Sequence, residues 1–395
     1  MSLSNTLKNH PGVDPAGVRY KDPKKYLWIL SVIAPLAAPA GPFLYLQTGN
    51  TYWLWAFLAL FYIGLPVFDL LFGEDKQNHP ESAVPQLEND PYYKGITYAL
   101  VPILAFSFFY NVIFLASHEV HWLLWLAVAI TTGSLLGFGL NLGHELGHKK
   151  RKLDQWLALF TLSLGGYGHF SIEHNRGHHR HVATPEDPAS SRMGETIYTF
   201  ILREMPGGFF RAWNIEKARL ERLGKSAWSL QNEMLVCLGL TTVMYTALIA
   251  AFGWPMVPVL AVVAFWGAFQ LTSANYIEHY GLLRKKLADG RYENCQPHHS
   301  WNSNHLVSNL VVFQLQRHSD HHANPARGFQ SLRDFPELPS LPSGYFGMFL
   351  VAYCPPLWFK IMNKRLIDVV GKRAADINIL PSKRGLLIRK YGLES

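Results

Sequence analysis

The chain alternates between long apolar runs and short polar segments, and this pattern predicts membrane-spanning helices. A helix needs about 20 mostly apolar residues to cross a bilayer, and six runs are close to that length. They cover residues 26–47, 52–72, 97–116, 121–142, 234–252 and 254–276. The predicted fold class is therefore an all-α integral membrane protein with six transmembrane helices.

Charged residues divide the six helices into three hairpins. The turns inside the hairpins, TGNT, SHEV and GW, carry no Lys or Arg, whereas the segments between hairpins carry many. Those basic residues are Lys21, Lys24, Lys25, Lys76, Lys94, Lys149, Lys150, Arg151, Lys152, Arg284, Lys285 and Lys286. Because Lys and Arg accumulate on the cytoplasmic side of a membrane protein, we expect both termini and these segments to be cytoplasmic.

The remaining residues form a polar cap that we expect on the cytoplasmic side. Two apolar stretches within it, 156–170 and 347–361, are short and interrupted by Gly-Gly or Pro-Pro, and we expect them to be interfacial or re-entrant. The predicted domains are a cytoplasmic N-terminal segment at 1–25, a six-helix domain at 26–280 with a cytoplasmic insertion at 149–233, and a C-terminal cap at 281–395.

Composition supports the membrane assignment and argues against some kinds of partner and metal site. The chain is 49% hydrophobic and only 16% charged, where a soluble domain has roughly 25% charged residues. The net charge of +8 is explained by the basic excess expected on the cytoplasmic side, so we expect no nucleic-acid partner. The three cysteines form no C-x-x-C pair, which argues against a disulfide framework or a Cys-ligated metal site.

The segment NLGHELGHKK at 141–150 contains an H-E-x-x-H pattern. In zinc metalloproteases this pattern places two imidazoles one helical turn apart, with the Glu as general base. His144, Glu145 and His148 would fill those roles here. An intramembrane zinc protease is therefore one alternative, and it needs only one zinc ion and a third ligand.

The histidines, however, extend well beyond that pattern. Of the 18 in the chain, nine fall in four clusters next to the predicted inner ends of the spans. The clusters are His144 and His148; His174, His178 and His179; His279 alone; and His318, His321 and His322. The predicted topology allows all of them to converge on one site.

The spacing within the clusters favours two metal ions. Residues i and i+4 share a helical face, so His144 and His148 should point the same way, as should His174 and His178. Adjacent histidines such as His178 and His179 are about 100° apart on a helix, so they should serve two neighbouring ions. Nine imidazoles exceed the four ligands of a tetrahedral zinc and give two metals four or five ligands each.

Carboxylates beside the clusters are candidates to orient the rings. A carboxylate that accepts the second ring N–H of a histidine ligand fixes its tautomer. The candidates are Glu145, Glu173, Asp187, Glu278 and Asp320.

Three segments resemble the membrane-bound di-iron alkane 1-monooxygenases, within the wider class of histidine-box desaturases and hydroxylases. These segments are EHNRGHHRHVATPEDPAS at 173–190, NYIEHYGL at 275–282 and LQRHSDHHANP at 315–325. The resemblance extends from the first predicted span to about residue 334. It implies a non-haem di-iron site, held by the nine clustered histidines, that uses O2 to hydroxylate the terminal carbon of medium-to-long-chain n-alkanes.

The resemblance also implies partners and a location. Electrons would come from a separate rubredoxin with its reductase, and the location would be a bacterial inner membrane, whose lipids would deliver the alkane. A basic set could dock an acidic rubredoxin, although cytoplasmic anchoring explains part of it equally well. The set is Lys149, Lys150, Arg151, Lys152, Arg176, Arg180 and Arg192.

An apolar channel between the helices would hold the alkane with its end carbon at the metals. Trp53 and Trp55 are bulky candidates to stop the chain, and an interfacial tryptophan belt is the alternative. Two other functions stay open at this point. A fatty-acyl desaturase or hydroxylase would share the metals and differ in substrate, whereas a metal transporter should place polar ligands at the bilayer midplane.

Overall fold

The computed structural model describes residues 20–394, and the regular secondary structure in that range is helical. Isolated bridges are the only β-type pairing among these residues. Most of the predicted N-terminal segment, residues 1–19, lies outside the described residues.

Six helices are long and apolar enough to cross a membrane, as the sequence pattern predicts. Their bounds are Lys25–Thr48, Trp53–Phe72, Pro91–Ser117, Trp122–Gly147, Glu233–Phe252 and Met256–Glu278. They form three hairpins, joined by short turns, in the predicted order. We refer to them as the first to the sixth span.

Two spans are longer than the apolar pattern indicates. The third starts at Pro91 rather than at 97 because the Asp90 side chain caps it, accepting a 2.9 Å hydrogen bond from the Tyr92 backbone N–H. Side-chain oxygens of this kind satisfy one of the free N–H groups at a helix start. The fourth span continues to Gly147 instead of ending at 142, so His144 lies within its last turn.

The fourth and sixth spans form the centre of the bundle. In their most apolar windows 67% and 61% of residues are buried, against 11% for the fifth span, which therefore lies at the periphery. Glycines let the two central helices approach closely: a Cβ at Gly133 would lie 2.7 Å from Trp266 Cβ, and one at Gly137 would lie 3.1 Å from Gln270 Cβ. Small residues serve this purpose at helix contacts in membranes.

A cap of shorter helices covers the ends of the spans that carry His144 and His279. Its longer α-helices are Lys152–Leu164, Ile197–Arg222, Tyr345–Ala352, Pro355–Val370 and Arg384–Tyr391. Its short α-helices are Val84–Asn89, Phe170–Glu173, His179–His181, Leu306–Val311 and His318–Ala323. Its 3₁₀ turns are Glu81–Ala83, Pro297–His299, Phe329–Ser331, Ala374–Asp376 and Pro381–Lys383.

Two further features shape the cap. A π-helical turn, His174–His178, joins two of the short helices. Tyr345–Ala352 and Pro355–Val370 meet at 118° around the Pro-Pro sequence. Pro cannot continue a helix without losing a backbone hydrogen bond, which explains why this apolar stretch bends instead of forming a straight span.

Buried polar contacts fix the cap on the spans. The carboxylate of Asp69, fully buried in the second span, accepts a 2.9 Å hydrogen bond from the Ser308 backbone N–H. The Asn141 side chain in the fourth span donates a 2.8 Å bond to the Val312 carbonyl. Because unsatisfied buried polar groups are costly, these bonds hold the segment that precedes His318 against the membrane helices.

Candidate metal centre

All nine clustered histidines converge at one buried location between the bundle and the cap. The fourth span contributes His144 and leads directly into His148, and His279 follows the sixth span. The helical segment at 170–181 supplies three more, and the helix His318–Ala323 supplies the last three.

The nine side chains separate into two adjacent groups. Within each group one nitrogen of every ring lies within 4.8 Å of those of the others. The group of five is His144, His148, His174, His179 and His321. The group of four is His178, His279, His318 and His322.

The ring nitrogens have the separations that a shared metal ion would produce. The Nε2 atoms of His144 and His321 are 2.8 Å apart, and those of His318 and His322 are 2.9 Å apart. Metal–nitrogen bonds of about 2.0–2.1 Å at right angles place two ligand nitrogens roughly 2.9 Å apart. The buried Nε2 atom of His279 has no protein partner. The donor set therefore fits two metal ions.

Adjacent histidines divide between the two groups, as the helical angle between them predicts. His178 and His322 belong to the group of four, whereas His179 and His321 belong to the group of five. Each HH pair therefore faces both candidate ions at once.

The expectation for His174 and His178 was wrong in its geometry. Residues His174–His178 form a π-helical turn rather than an α-helical one, and π turns are frequent at functional sites. In this turn His174 joins His179 in the group of five, whereas His178 turns towards the other group. In this wider turn, residues i and i+5 share a face, rather than residues i and i+4.

Burial keeps most of these rings in the neutral form that binds metals. It lowers the pKa of His279 to about 3 and that of His174 and His321 well below the usual value. His178 differs: burial again favours the neutral ring, but the neighbouring Asp187 carboxylate outweighs it and raises the pKa of His178.

Of the five candidate carboxylates, Asp187 contacts a histidine as predicted, through the ring nitrogen that does not face the metal site. Its Oδ2 atom lies 2.9 Å from Nδ1 of His178, which leaves Nε2 directed at the group of four. Asp187 also accepts a 2.8 Å hydrogen bond from Arg211, and Arg211 pairs with Glu173. Arg211 is a residue that motif analysis missed, because it lies 24 residues from Asp187 in the sequence with no spacing signal.

The other predicted ring-orienting carboxylates have different partners. Glu145 pairs with Lys149 at 2.9 Å, and Asp320 pairs with Arg333 at 2.8 Å. Glu173 contacts Arg211 rather than a histidine. Glu278 lies near a histidine, with its Oε2 atom 3.4 Å from His318 Nε2. This nitrogen faces the metal site, so the contact is not the predicted one with the second ring nitrogen.

The contact of Glu145 also bears on the protease alternative. A general base must reach the water that it activates, whereas this carboxylate is held in an ion pair with Lys149. The group of five also contains three rings outside the HELGH sequence. A single zinc ion, which takes three or four protein ligands, therefore leaves most of the nine converging rings without a metal.

A third cluster, Glu293, His298 and His299, lies on the cap surface nearby. The His299 Nδ1 atom accepts a 2.9 Å hydrogen bond from the Gln296 backbone N–H, and Nε2 faces Glu293 at 3.3 Å. A neutral ring that accepts at Nδ1 carries its proton on Nε2, so this nitrogen donates to the carboxylate. The hydrogen bonds explain the cluster without a metal.

An apolar cavity lies on the membrane side of the histidines, between the second, fourth and sixth spans and the helix Tyr345–Ala352. The space between its lining atoms is about 470 Å³, and this figure includes open space at its mouth. Asn141 and Ala274, which line it, precede His144 and His279 by three and five residues. The cavity therefore ends beside the metal centre.

The predicted chain stoppers lie elsewhere. Trp53 and Trp55 are 38% and 41% exposed at the end of the second span that lies away from the cap, and neither is among the residues that line the cavity. An interfacial position explains both. The aromatic residue of this span that lines the cavity is Phe61.

The predicted docking residues fall into two sets. Lys149 is half-buried in its ion pair with Glu145, Arg176 binds Glu216 and Glu233, and Arg192 is partly buried. Arg176 is exposed despite its ion pairs, and the exposed residues of the set with no ion pair in the described part of the chain are Lys150, Arg151, Lys152 and Arg180.

Comparison with known proteins agrees with this geometry. The fatty acid desaturase family model matches residues 120–351. Alkane 1-monooxygenase 1 of Alcanivorax borkumensis is 51% identical over 99% of this chain and 96% of its own. Alkane 1-monooxygenases of Ectopseudomonas oleovorans and Pseudomonas putida are 49% and 50% identical, over 98% and 94% of this chain and 97% and 92% of their own.

Proposed function

Because the chain belongs to the alkane 1-monooxygenase family, we propose that it hydroxylates the terminal carbon of medium-to-long-chain n-alkanes to primary alcohols. The observation that carries this proposal is the end of an apolar cavity beside two groups of neutral imidazoles. An unactivated C–H bond offers no acidic or electrophilic atom to a side chain, so a cofactor must supply the difficult step.

The cofactor proposed is a pair of iron ions, one held by each histidine group. Imidazole suits iron, as well as zinc, copper and nickel. When bound, the irons would supply the chemistry by which O2, two electrons and two protons convert the alkane to alcohol and water. The nine ring nitrogens add no negative charge, so each ion would keep its full positive charge.

The chain's own residues provide position and a dry site. Asp187 holds the His178 ring in the tautomer that directs Nε2 at the group of four. Phe138, Leu271 and Phe346 line the cavity with apolar surface, which binds an alkyl chain and excludes water. Alkanes partition into lipid, so the substrate would reach this cavity from the bilayer.

The setting of the enzyme follows from the same proposal. The basic segments favour a cytoplasmic cap and cytoplasmic termini, and we propose that the membrane is a bacterial inner membrane. The proposed domain division is an N-terminal segment at 1–25, a six-helix region at 26–280 with its insertion at 149–233, and a cap at 281–395. A rubredoxin with its reductase delivers the electrons at the exposed basic residues near Lys150.

Metal analysis combined with turnover tests the proposal. Freshly purified, detergent-solubilised protein should contain about two irons per chain by elemental mass spectrometry, and His318→Ala should lower that number. With a rubredoxin system the same preparation should convert n-octane to 1-octanol. One zinc per chain that is unaffected by His318→Ala, or products from an acyl thioester but none from alkanes, would reject it.

A further inference from the structure

The cap segment at residues 299–301 lies against the end of the sixth span. The backbone N–H of Trp301 donates to the Glu278 carbonyl at 2.7 Å, and its ring N–H donates to the Tyr280 carbonyl at 3.0 Å. Trp301 is fully buried. The last carbonyls of a helix have no partner within it, and Trp301 supplies one for Glu278. The segment therefore fixes the backbone on both sides of His279.

The same segment holds the His279 ring. Its Nδ1 atom lies 3.2 Å from the backbone carbonyl oxygen of His299. A carbonyl can only accept, so Nδ1 carries the proton and the lone pair of the neutral ring is on Nε2. That Nε2 atom is buried and has no partner in the described part of the chain, and His279 belongs to the group of four. The His299 carbonyl thus acts on His279 as Asp187 acts on His178.

The position of this carbonyl depends on a short turn that the His299 side chain stabilises. Residues Pro297–His299 form a 3₁₀ turn. The backbone N–H of His299 donates to the Gln296 carbonyl at 3.0 Å, and the Gln296 backbone N–H donates back to His299 Nδ1 at 2.9 Å. The His299 side chain is only 2% exposed. Two reciprocal bonds therefore hold the turn closed in a site from which water is excluded.

Glu293 joins this turn to the beginning of the loop that follows the sixth span. Its Oε1 atom accepts a 2.8 Å hydrogen bond from the Lys285 backbone N–H and lies 3.3 Å from His299 Nε2. The Glu293 backbone N–H also donates to the Lys285 carbonyl at 3.0 Å. One half-buried carboxylate therefore connects residue 285 to residue 299, and through the His299 carbonyl to His279.

We propose that Glu293 and His299 are positioning residues of the metal centre, which hold the His299 carbonyl where it fixes the tautomer and orientation of the His279 ring. This inference rests on the metal centre of the proposed function, but not on its substrate. Metal ligands must be held within about 0.5 Å of their working geometry. The cluster of Glu293, His298 and His299 thus serves the metal centre and binds no ion of its own.

The test measures how firmly each ion is held. Detergent-solubilised protein is loaded anaerobically with ferrous iron, dialysed against graded chelator and analysed for iron per chain by elemental mass spectrometry. Glu293→Ala removes the acceptor that faces Lys285 and His299, whereas Glu293→Gln keeps a side-chain oxygen that can accept. The matched control is Asp289→Ala, which removes an exposed carboxylate of the same loop that pairs with Arg291.

We expect Glu293→Ala to lose its first iron at about one-tenth of the wild-type chelator concentration, the lower end of the effect of losing an outer partner. The second iron should be retained as in the wild type. Glu293→Gln and Asp289→Ala should behave like the wild type. If Glu293→Ala does not fold, His299→Phe keeps a buried ring, removes both ring nitrogens and should show the same loss.

The His279→Ala background separates positioning from a general structural role. Once the His279 ring is absent, Glu293→Ala has nothing to orient, so it should not change the retention of the remaining iron. A loop that only stabilises the cap would release both irons together in Glu293→Ala protein. It would also weaken the remaining iron in the double variant.

Four results would overturn the inference. They are wild-type iron retention in folded Glu293→Ala or His299→Phe protein, joint release of both irons, and an equal loss in Glu293→Gln or Asp289→Ala protein. The fourth is a third iron per chain that only Glu293→Ala removes, which would make the cluster a metal site. Turnover is not needed for this test. Wild-type protein that holds two irons but forms no alcohol from alkanes would reject the proposed function and leave the positioning role standing.

Discussion

The Asp187 carboxylate lies 2.9 Å from Nδ1 of His178, and both side chains are almost fully buried. Because Nδ1 of His178 carries the proton that bonds Asp187, the lone pair that can bind a metal is on Nε2. Removing such a partner typically lowers metal affinity by about 10–100-fold. We therefore expect Asp187→Asn to weaken one of the two metal sites by that factor, measured as metal retained per chain during dialysis against graded chelator.

The neighbouring carboxylate provides the control for this change. Glu186 is exposed and faces His181, which is in neither histidine group. Glu186→Gln removes the same charge one residue away and should leave metal retention unchanged. Equal losses in the two variants would attribute the effect to local charge rather than to the orientation of His178.

The unequal sizes of the two histidine groups give a second prediction. His179→Ala leaves four ligands in its group, whereas His279→Ala leaves three. We expect the metal content of His279→Ala to fall from two towards one per chain and that of His179→Ala to fall less. His181→Ala, which removes an imidazole next to His179 but outside both groups, should retain two. Equal metal loss in His179→Ala and His279→Ala would contradict the grouping.

Local sequence signals predicted much of this structure. The six spans follow from apolar length, although the Asp90 cap extends the third beyond its apolar core and the fourth continues past residue 142 to Gly147. The division of His321 and His322 between two groups follows from the angle between adjacent residues on a helix. Both predictions depend only on residues that are close together in the sequence.

Features that depend on distant contacts were not predictable in this way. The π turn at His174–His178 changes the register of a helix by one residue, and periodicity does not encode it. Arg211 is 38 residues from Glu173 in the sequence, so no motif links them. Apolarity alone also could not distinguish Trp55, which faces outwards, from Phe61, which lines the cavity.

Arg211 gives a third prediction, on stability. It lies between Glu173 and Asp187, two carboxylates that are almost completely buried. Removing one partner of a buried ion pair leaves an uncompensated charge and costs about 3–5 kcal/mol. Arg211→Met should therefore lower the free energy of unfolding by that amount, measured by denaturant titration in detergent, and Glu173→Gln should restore part of the loss.

The same helix supplies the control for Arg211. Arg222, the last residue of Ile197–Arg222, is exposed. An exposed charge contributes little to stability, so Arg222→Met should change the unfolding free energy by no more than about 1 kcal/mol. A cost for Arg211→Met within that range would show that the buried carboxylates do not require the guanidinium.

The exposed basic residues after the fourth span give the last prediction, on electron delivery. Lys150 and Lys152 carry accessible charge two to four residues beyond His148, whereas Lys149 and Arg176 are engaged in ion pairs. If an acidic rubredoxin docks at the exposed pair, Lys150→Glu with Lys152→Glu should slow its association with the enzyme at least tenfold. Stopped-flow oxidation of reduced rubredoxin measures this rate.

Salt dependence distinguishes docking from a general effect of net charge. Lys360→Glu with Lys364→Glu makes the same charge change at exposed positions on the helix Pro355–Val370. Salt screens attraction between exposed charges over roughly 10 Å at 0.1 M, so the wild-type rate should fall steeply with ionic strength. The Lys150/Lys152 variant should lose most of that slope, and the Lys360/Lys364 variant should keep it. A salt-independent wild-type rate would indicate that these lysines do not dock rubredoxin and only anchor the chain at the membrane surface.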